Sequence, residues 1–194
     1  MRSRPSPQIT DATSVVAVLY AFGFDRIGVV ASDLYFLDPT PAPGQEGAEQ
    51  GVRLEVRLFE RRPLQGSIYS AQPIEVGRPI WRADLLESVD NPGSFDRAHH
   101  HPRFRDNEPG GRHFVEELSA DPVSWVGRKL EDLDGLLAEA GVPADEVGPD
   151  DAVDLRRAAP EIVAAVHRLL DGVRAGELAR PPADEVASAR ASWL

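Results

Sequence analysis

The sequence predicts an α+β fold, with an antiparallel β-sheet meander in the N-terminal half packed with two to three C-terminal helices. Two patterns carry that expectation. Before residue 114, apolar positions alternate, or come in short β-branched runs between Pro- and Gly-rich turns. After it, they recur at spacings of three and four. Strands first and helices afterwards favour segregated α+β over alternating α/β packing. A hydrophobic fraction of 42% over 194 residues supplies one core.

Residues 1–9 are expected to form a flexible tail, and 10–176 a single domain, strand-rich over 14–114 and helical over 121–176. Residues 14–22 are apolar and β-branched enough for a strand, with a short helix capped by Thr10 or Asp11 as the rival. Ile27–Val30 and Leu34–Leu37 read as strand pieces, and 39–51, rich in Pro and Gly, as an exposed loop. Val52, Leu54, Val56 and Leu58 alternate with Arg53, Glu55, Arg57 and Phe59, the period of a strand with one buried face. Ile68–Ala71 and Ile80–Leu86 continue the meander, with turns at 63–66 and 75–79. Trp81 and Trp125 read as core, with contacts to a partner as the alternative.

Asp121-Pro122 is an N-cap followed by Pro at the first helical position. Val126, Leu130, Leu133 and Leu137 then mark a helical stripe that Gly141 stops, with Asp132 and Asp134 on its solvated side. A second helix is expected after Gly148-Pro149-Asp150, and Pro160 starts or kinks a third that ends at Gly176. Residues 177–194 read as a mobile or partly helical tail.

Composition excludes whole classes of function. Without cysteine there are no disulfides, iron–sulfur clusters, thiolate zinc sites or thiol catalysis. The apolar run 15–22 is far shorter than the ~20 residues that span a bilayer. The chain is therefore expected to be cytoplasmic with no membrane partner. The net charge of −11 is uneven: residues 115–194 hold 17 acids and 8 bases, whereas 1–114 hold 15 and 13. The acidic half repels a nucleic-acid backbone, so DNA is not expected as a partner. The helices over 121–176 could instead present an acidic surface to a protein.

The chemistry concentrates in one place. Four of the five histidines, His99, His100, His101 and His113, lie within fifteen residues that also hold Arg103, Arg105 and Arg112, with Arg97 just ahead. In an extended segment, Arg97, His99, His101, Arg103 and Arg105 share one face, and Ala98, His100, Pro102 and Phe104 the other. A neutral imidazole can take a proton while a protonated one gives one, and guanidiniums can hold a phosphate. On that reading His99 and His101 are acid and base, and Arg97, Arg103, Arg105, Arg112 and His113 bind substrate. No cofactor is then required, and the activity is a metal-independent hydrolase or nuclease on a phosphate-bearing substrate.

Two other uses compete. His99-x-His101 can supply two ligands to a divalent metal, closed by Glu108, or by Asp84, Asp96 or His113. A segment rich in His, Arg and Pro can also be a docking loop of a non-catalytic interaction module, or simply a polar surface. His167 sits beside Val166 on a helix and reads as structural.

The order of features resembles the TumE-type bacterial toxin family over roughly residues 52–140. A strand meander leads into Trp81-Arg82-Ala83-Asp84-Leu85, then the cluster His99-His100-His101, then an acidic amphipathic helix. Arg82-Ala83-Asp84 stands where that family has Arg-Tyr-Asp, and the histidines come later than in its pattern. The resemblance implies an RNase-like activity on RNA, a neutralising protein partner, and functional roles for Arg82, Asp84, His99 and His101. Nucleotide-binding Gly-rich loops, His-Glu-x-x-His and Gly-x-Ser-x-Gly are all missing from the chain.

Overall fold

The computed structural model describes residues 18–181. The tail reading for 1–9, the part of the 177–194 tail beyond 181, and the start of the 14–22 segment lie outside the described residues; 177–181 is held to the domain, with Ala179 buried and its amide donating to Asp33. The fold is α+β, a five-stranded antiparallel sheet packed with C-terminal helices. The strands follow chain order: β1 (Leu19–Gly23), β2 (Ile27–Leu37), β3 (Ala48–Arg61), β4 (Ile74–Ser88) and β5 (His99–His101). A small hairpin follows, β6 (Phe104–Arg105) with β7 (Glu108–Pro109). The helices are α1 (Glu116–Ala120), α2 (Pro122–Glu131), α3 (Leu133–Ala140) and α4 (Asp151–Arg174).

Period-two patterning decides which sheet face is buried. Ile27, Val29 and Ala31 on β2, Val52, Leu54 and Val56 on β3, and Trp81, Ala83 and Leu85 on β4 are all completely buried and form one cluster with the helices. α4 lies against β2 and β3, and α2 against α4. Leu155, Ile162, Val166, Leu169 and Leu170 carry the α4 side of that contact. Each such side chain contributes roughly 1.5–3 kcal/mol by leaving water. Trp125 of α2 stacks on Trp81 of β4 with centroids 5.9 Å apart, so both tryptophans are core.

Several boundaries differ from expectation, each for a physical reason. Ile27–Leu37 is one strand, because Asp33 in its middle is fully buried and accepts from the Val18 and Ala179 amides, both at 2.8 Å. β3 starts inside the expected 39–51 loop, where Glu49 and Gln50 pair with Ser88 and Glu87. Gly51 makes that possible: its φ is +150°, and a Cβ there would lie 2.1 Å from the Leu85 carbonyl oxygen. The expected turn at 75–79 belongs to β4, with register shifts near Arg57 that accommodate Pro79 in the strand. Ile68–Ala71 is not a strand: Ile68 and Tyr69 are 83% and 91% exposed, on a turn closed by Ser67 and Ser70.

In the helical half, Asp132 breaks the expected first helix by capping α3 through the Gly135 amide at 3.0 Å. Asp132 and Asp134 are both exposed, as expected, and Asp132 adds the role of a cap. The second and third expected helices are one, since α4 runs through Pro160. Asp151 at its start is fully buried and accepts from the amides of Asp25, Arg26 and Gly148, which ties α4 to the β1–β2 turn. Among the described residues no helix is long and apolar enough to cross a membrane.

Candidate metal and acid–base centre

β5 is three residues long and pairs with β4 in a fixed register: His99 opposite Asp84, His100 opposite Ala83, His101 opposite Arg82. His113 bridges the other edge of β5, exchanging two backbone hydrogen bonds with His100 at 3.0 and 2.9 Å. Side chains directly opposite on an antiparallel pair share a face. His99, His101, Arg82 and Asp84 therefore meet on the face away from the helices, and Arg53 of β3 joins them opposite Asp84.

Asp84 is the hub. Arg53 grips it through both oxygens, Nε to Oδ1 at 2.7 Å and Nη2 to Oδ2 at 3.2 Å. Arg82 Nε lies 3.1 Å from Oδ2 as an ion pair, with no hydrogen bond of good geometry to any group. His99 Nε2 and His101 Nε2 lie 3.3 and 3.6 Å from the same Oδ2. Asp84, His99 and His101 are 1%, 1% and 4% exposed. Burial alone would raise the Asp84 carboxyl, but Arg53, the two imidazoles and Arg82 together hold it well below the usual carboxylate range. Burial lowers the Arg82 guanidinium, with Asp84 opposing.

Backbone carbonyls fix both rings. His99 Nδ1 is 2.7 Å from the Arg97 oxygen, and His101 Nδ1 is 2.7 Å from the Gly110 oxygen. A carbonyl only accepts, so each Nδ1 carries a proton and donates it. In a neutral ring the Nε2 lone pair then faces Asp84. The buried His101 Nε2 has no hydrogen-bond partner. Phe114 lies 5.5 Å from the His99 ring and Phe104 6.5 Å from the His101 ring, flanking the pair with aromatic walls.

Two lone pairs facing a carboxylate are repulsive unless something positive stands between them. A proton on either imidazole is one answer, and a metal ion is the other. Among the described residues, Asp84, His99 and His101 are the group whose ligand atoms all lie within 4.8 Å of one another. With metal–ligand bonds of about 2.0–2.2 Å, the separations of 3.3 and 3.6 Å correspond to angles at the ion of about 100–120°. A histidine whose Nδ1–H donates to a carbonyl, and a carboxylate held by arginine, are the outer-shell pattern that orients metal ligands.

The remaining residues singled out in the sequence fall elsewhere. Arg97 shares the face of His99 and His101, but its guanidinium is spent on the Gly44 and Glu46 carbonyls. Arg103 donates to the Glu139 carbonyl of α3 at 3.0 Å, away from the expected face, because the chain turns after Pro102. The same turn brings Phe104 to the Arg82 side, 5.8 Å from its guanidinium carbon. Arg105 and Glu108 are exposed and paired on the β6–β7 hairpin, so Glu108 stands apart from His99 and His101, whereas Asp84 is grouped with them. Arg112 bonds Glu49 and Gln45, both at 3.0 Å. Asp96 is held by Ser88 and Ser94. His113 stands 5.5 Å from the His100 ring on the helix side, and His167 is exposed on α4. Arg53 carries no sequence signal beyond its place on the polar side of the β3 alternation.

The chain matches no protein-family model, no curated protein and no solved structure.

Proposed function

We propose that this protein binds one divalent transition-metal ion through Asp84, His99 and His101. One observation carries the reading: two buried imidazoles, each pinned at Nδ1 by a backbone carbonyl, turn Nε2 toward the same carboxylate oxygen at ligand–ligand spacing. The unpartnered His101 Nε2 agrees with it, since a buried acceptor without a partner is costly. Two histidines and one carboxylate leave coordination positions open, the arrangement of a reactive site and not of a closed structural one.

A second reading keeps the same residues and dispenses with the metal. Arg53 and Arg82 already compensate Asp84, so His99 and His101 could act as acid and base on a phosphodiester, as the toxin resemblance implies for RNA.

Tag-free protein should take up one equivalent of zinc or cobalt by metal analysis and titration calorimetry. His99→Ala/His101→Ala should lose that uptake with an unchanged circular dichroism spectrum. Equal uptake by the double variant sinks the metal reading. RNA cleavage that persists in chelator and disappears in the double variant would put the metal-free reading in its place.

A further inference from the structure

We propose that the exogenous ligand of this centre is a phosphate group, held between the metal's open positions and Arg82; the inference rests on the metal reading above. The first argument is charge. Arg53 and Arg82 both lie on Asp84, so a centre loaded with a divalent ion carries three more positive than negative charges among these groups. Glu55, opposite Arg82 on β3, offsets part of this, but it is itself paired with Arg57, so the balance of the cluster stays positive. An uncompensated positive cluster out of water is expensive, and an anion is what offsets it. A phosphate, with close to two negative charges at neutral pH, does so better than a carboxylate with one.

The second argument is the state of the two arginines. Arg53 spends Nε and Nη2 on Asp84 in a bidentate grip. Arg82 is nearly as buried as the ligands, with its side chain 11% exposed, yet its Nε–H makes no hydrogen bond. Arg82 faces His101 directly across the β4–β5 ladder, so this spare donor stands beside the imidazole whose Nε2 is also unpartnered. A tetrahedral oxyanion can put one oxygen on the metal and another on a guanidinium fork.

The third argument is access. A cleft of about 410 Å³ is lined by Arg103, Phe104, Arg105, Glu108, Pro109 and Gly110. Phe104 is the wall common to the cleft and the centre, since its ring also meets Arg82 and His101. The rest of a phosphate ester would lie there, beside Arg105.

Cobalt-loaded, tag-free full chain titrated with inorganic phosphate tests this through the visible absorption of the ion. Phosphate should shift the band saturably, and acetate should bind at least about tenfold more weakly. Arg82→Gln should keep cobalt but lose about ten- to hundredfold in phosphate affinity, the size of one charge-assisted contact. If Arg82→Gln fails to fold, Arg82→Lys should fold and still bind phosphate more weakly than the native chain, because a point charge replaces the fork. A band that phosphate does not move, or moves equally in the Arg82 variants, overturns the inference and leaves the metal reading standing. Acetate binding as tightly as phosphate overturns the assignment to phosphate. Failure to bind cobalt at all overturns both.

Discussion

His100 shares a strand with two polar-face histidines, yet its ring lies in the core, 5.1 Å from Trp125 and 6.2 Å from Trp81. Strand alternation alone imposes that division. Burial pushes its imidazole down to about 4, with Glu139 opposing and Lys129, His113 and His101 adding slightly. The ring is therefore neutral in the folded protein at pH 7, and Nδ1 has no partner. In the unfolded chain it titrates near 6.5, so between pH 6.5 and about 4 the unfolded state takes up a proton that the folded state does not. From this group stability is undiminished above pH 6.5, falls as pH drops through the window, and levels off below it at a loss of up to roughly 3 kcal/mol. His100→Phe keeps an aromatic ring at this position and removes the titration. Urea unfolding at pH 7 and pH 4.5 should show a smaller stability gap in the variant than in the native chain. An equal gap would mean that the acid sensitivity originates elsewhere.

The β3–β4 pair is the element that builds the centre, because its register puts Arg53 opposite Asp84. Gly51 sits two residues before Arg53 in a conformation that L side chains avoid, and a Cβ would collide with the Leu85 carbonyl. Gly51→Ala should destabilise by at least about 3 kcal/mol, read as a lower urea midpoint at unchanged slope. A variant within about 0.5 kcal/mol of the native chain would show that the strands can part there without cost. Elements with a fixed period were legible in advance. The alternation of His99 and His101 against His100 holds because β5 is a true strand. It fails at Arg103 and Phe104, because Pro102 ends the ladder and the chain turns. Arg53 could not be picked out, since its partner lies 31 residues away and only the sheet register joins them. Pro160 misled in the other direction. The apolar stripe from Leu155 to Val173 stays continuous through it, so burial outweighs one missing backbone hydrogen bond.

At the scale of the molecule the two sheet faces have divided the work. One face and the helices carry most of the apolar burial, and the other carries a charged cluster that contributes little of it. Burying Asp84, two guanidiniums and two imidazoles together is a weak source of stability at best. Such a cluster should gain most from the ligand that completes it. Anything that binds only the folded state adds RT ln(1 + [L]/Kd), about 2.7 kcal/mol at a hundredfold excess over Kd. For a chain of this size that is a rise in Tm of about 5–10 °C. Chelator-treated protein melted with increasing zinc should follow that logarithmic rise, and His99→Ala/His101→Ala should melt at one temperature throughout. Ions bound loosely by the acidic helices would raise both proteins alike. The difference between the two melting curves is therefore the part of the stabilisation that belongs to the centre.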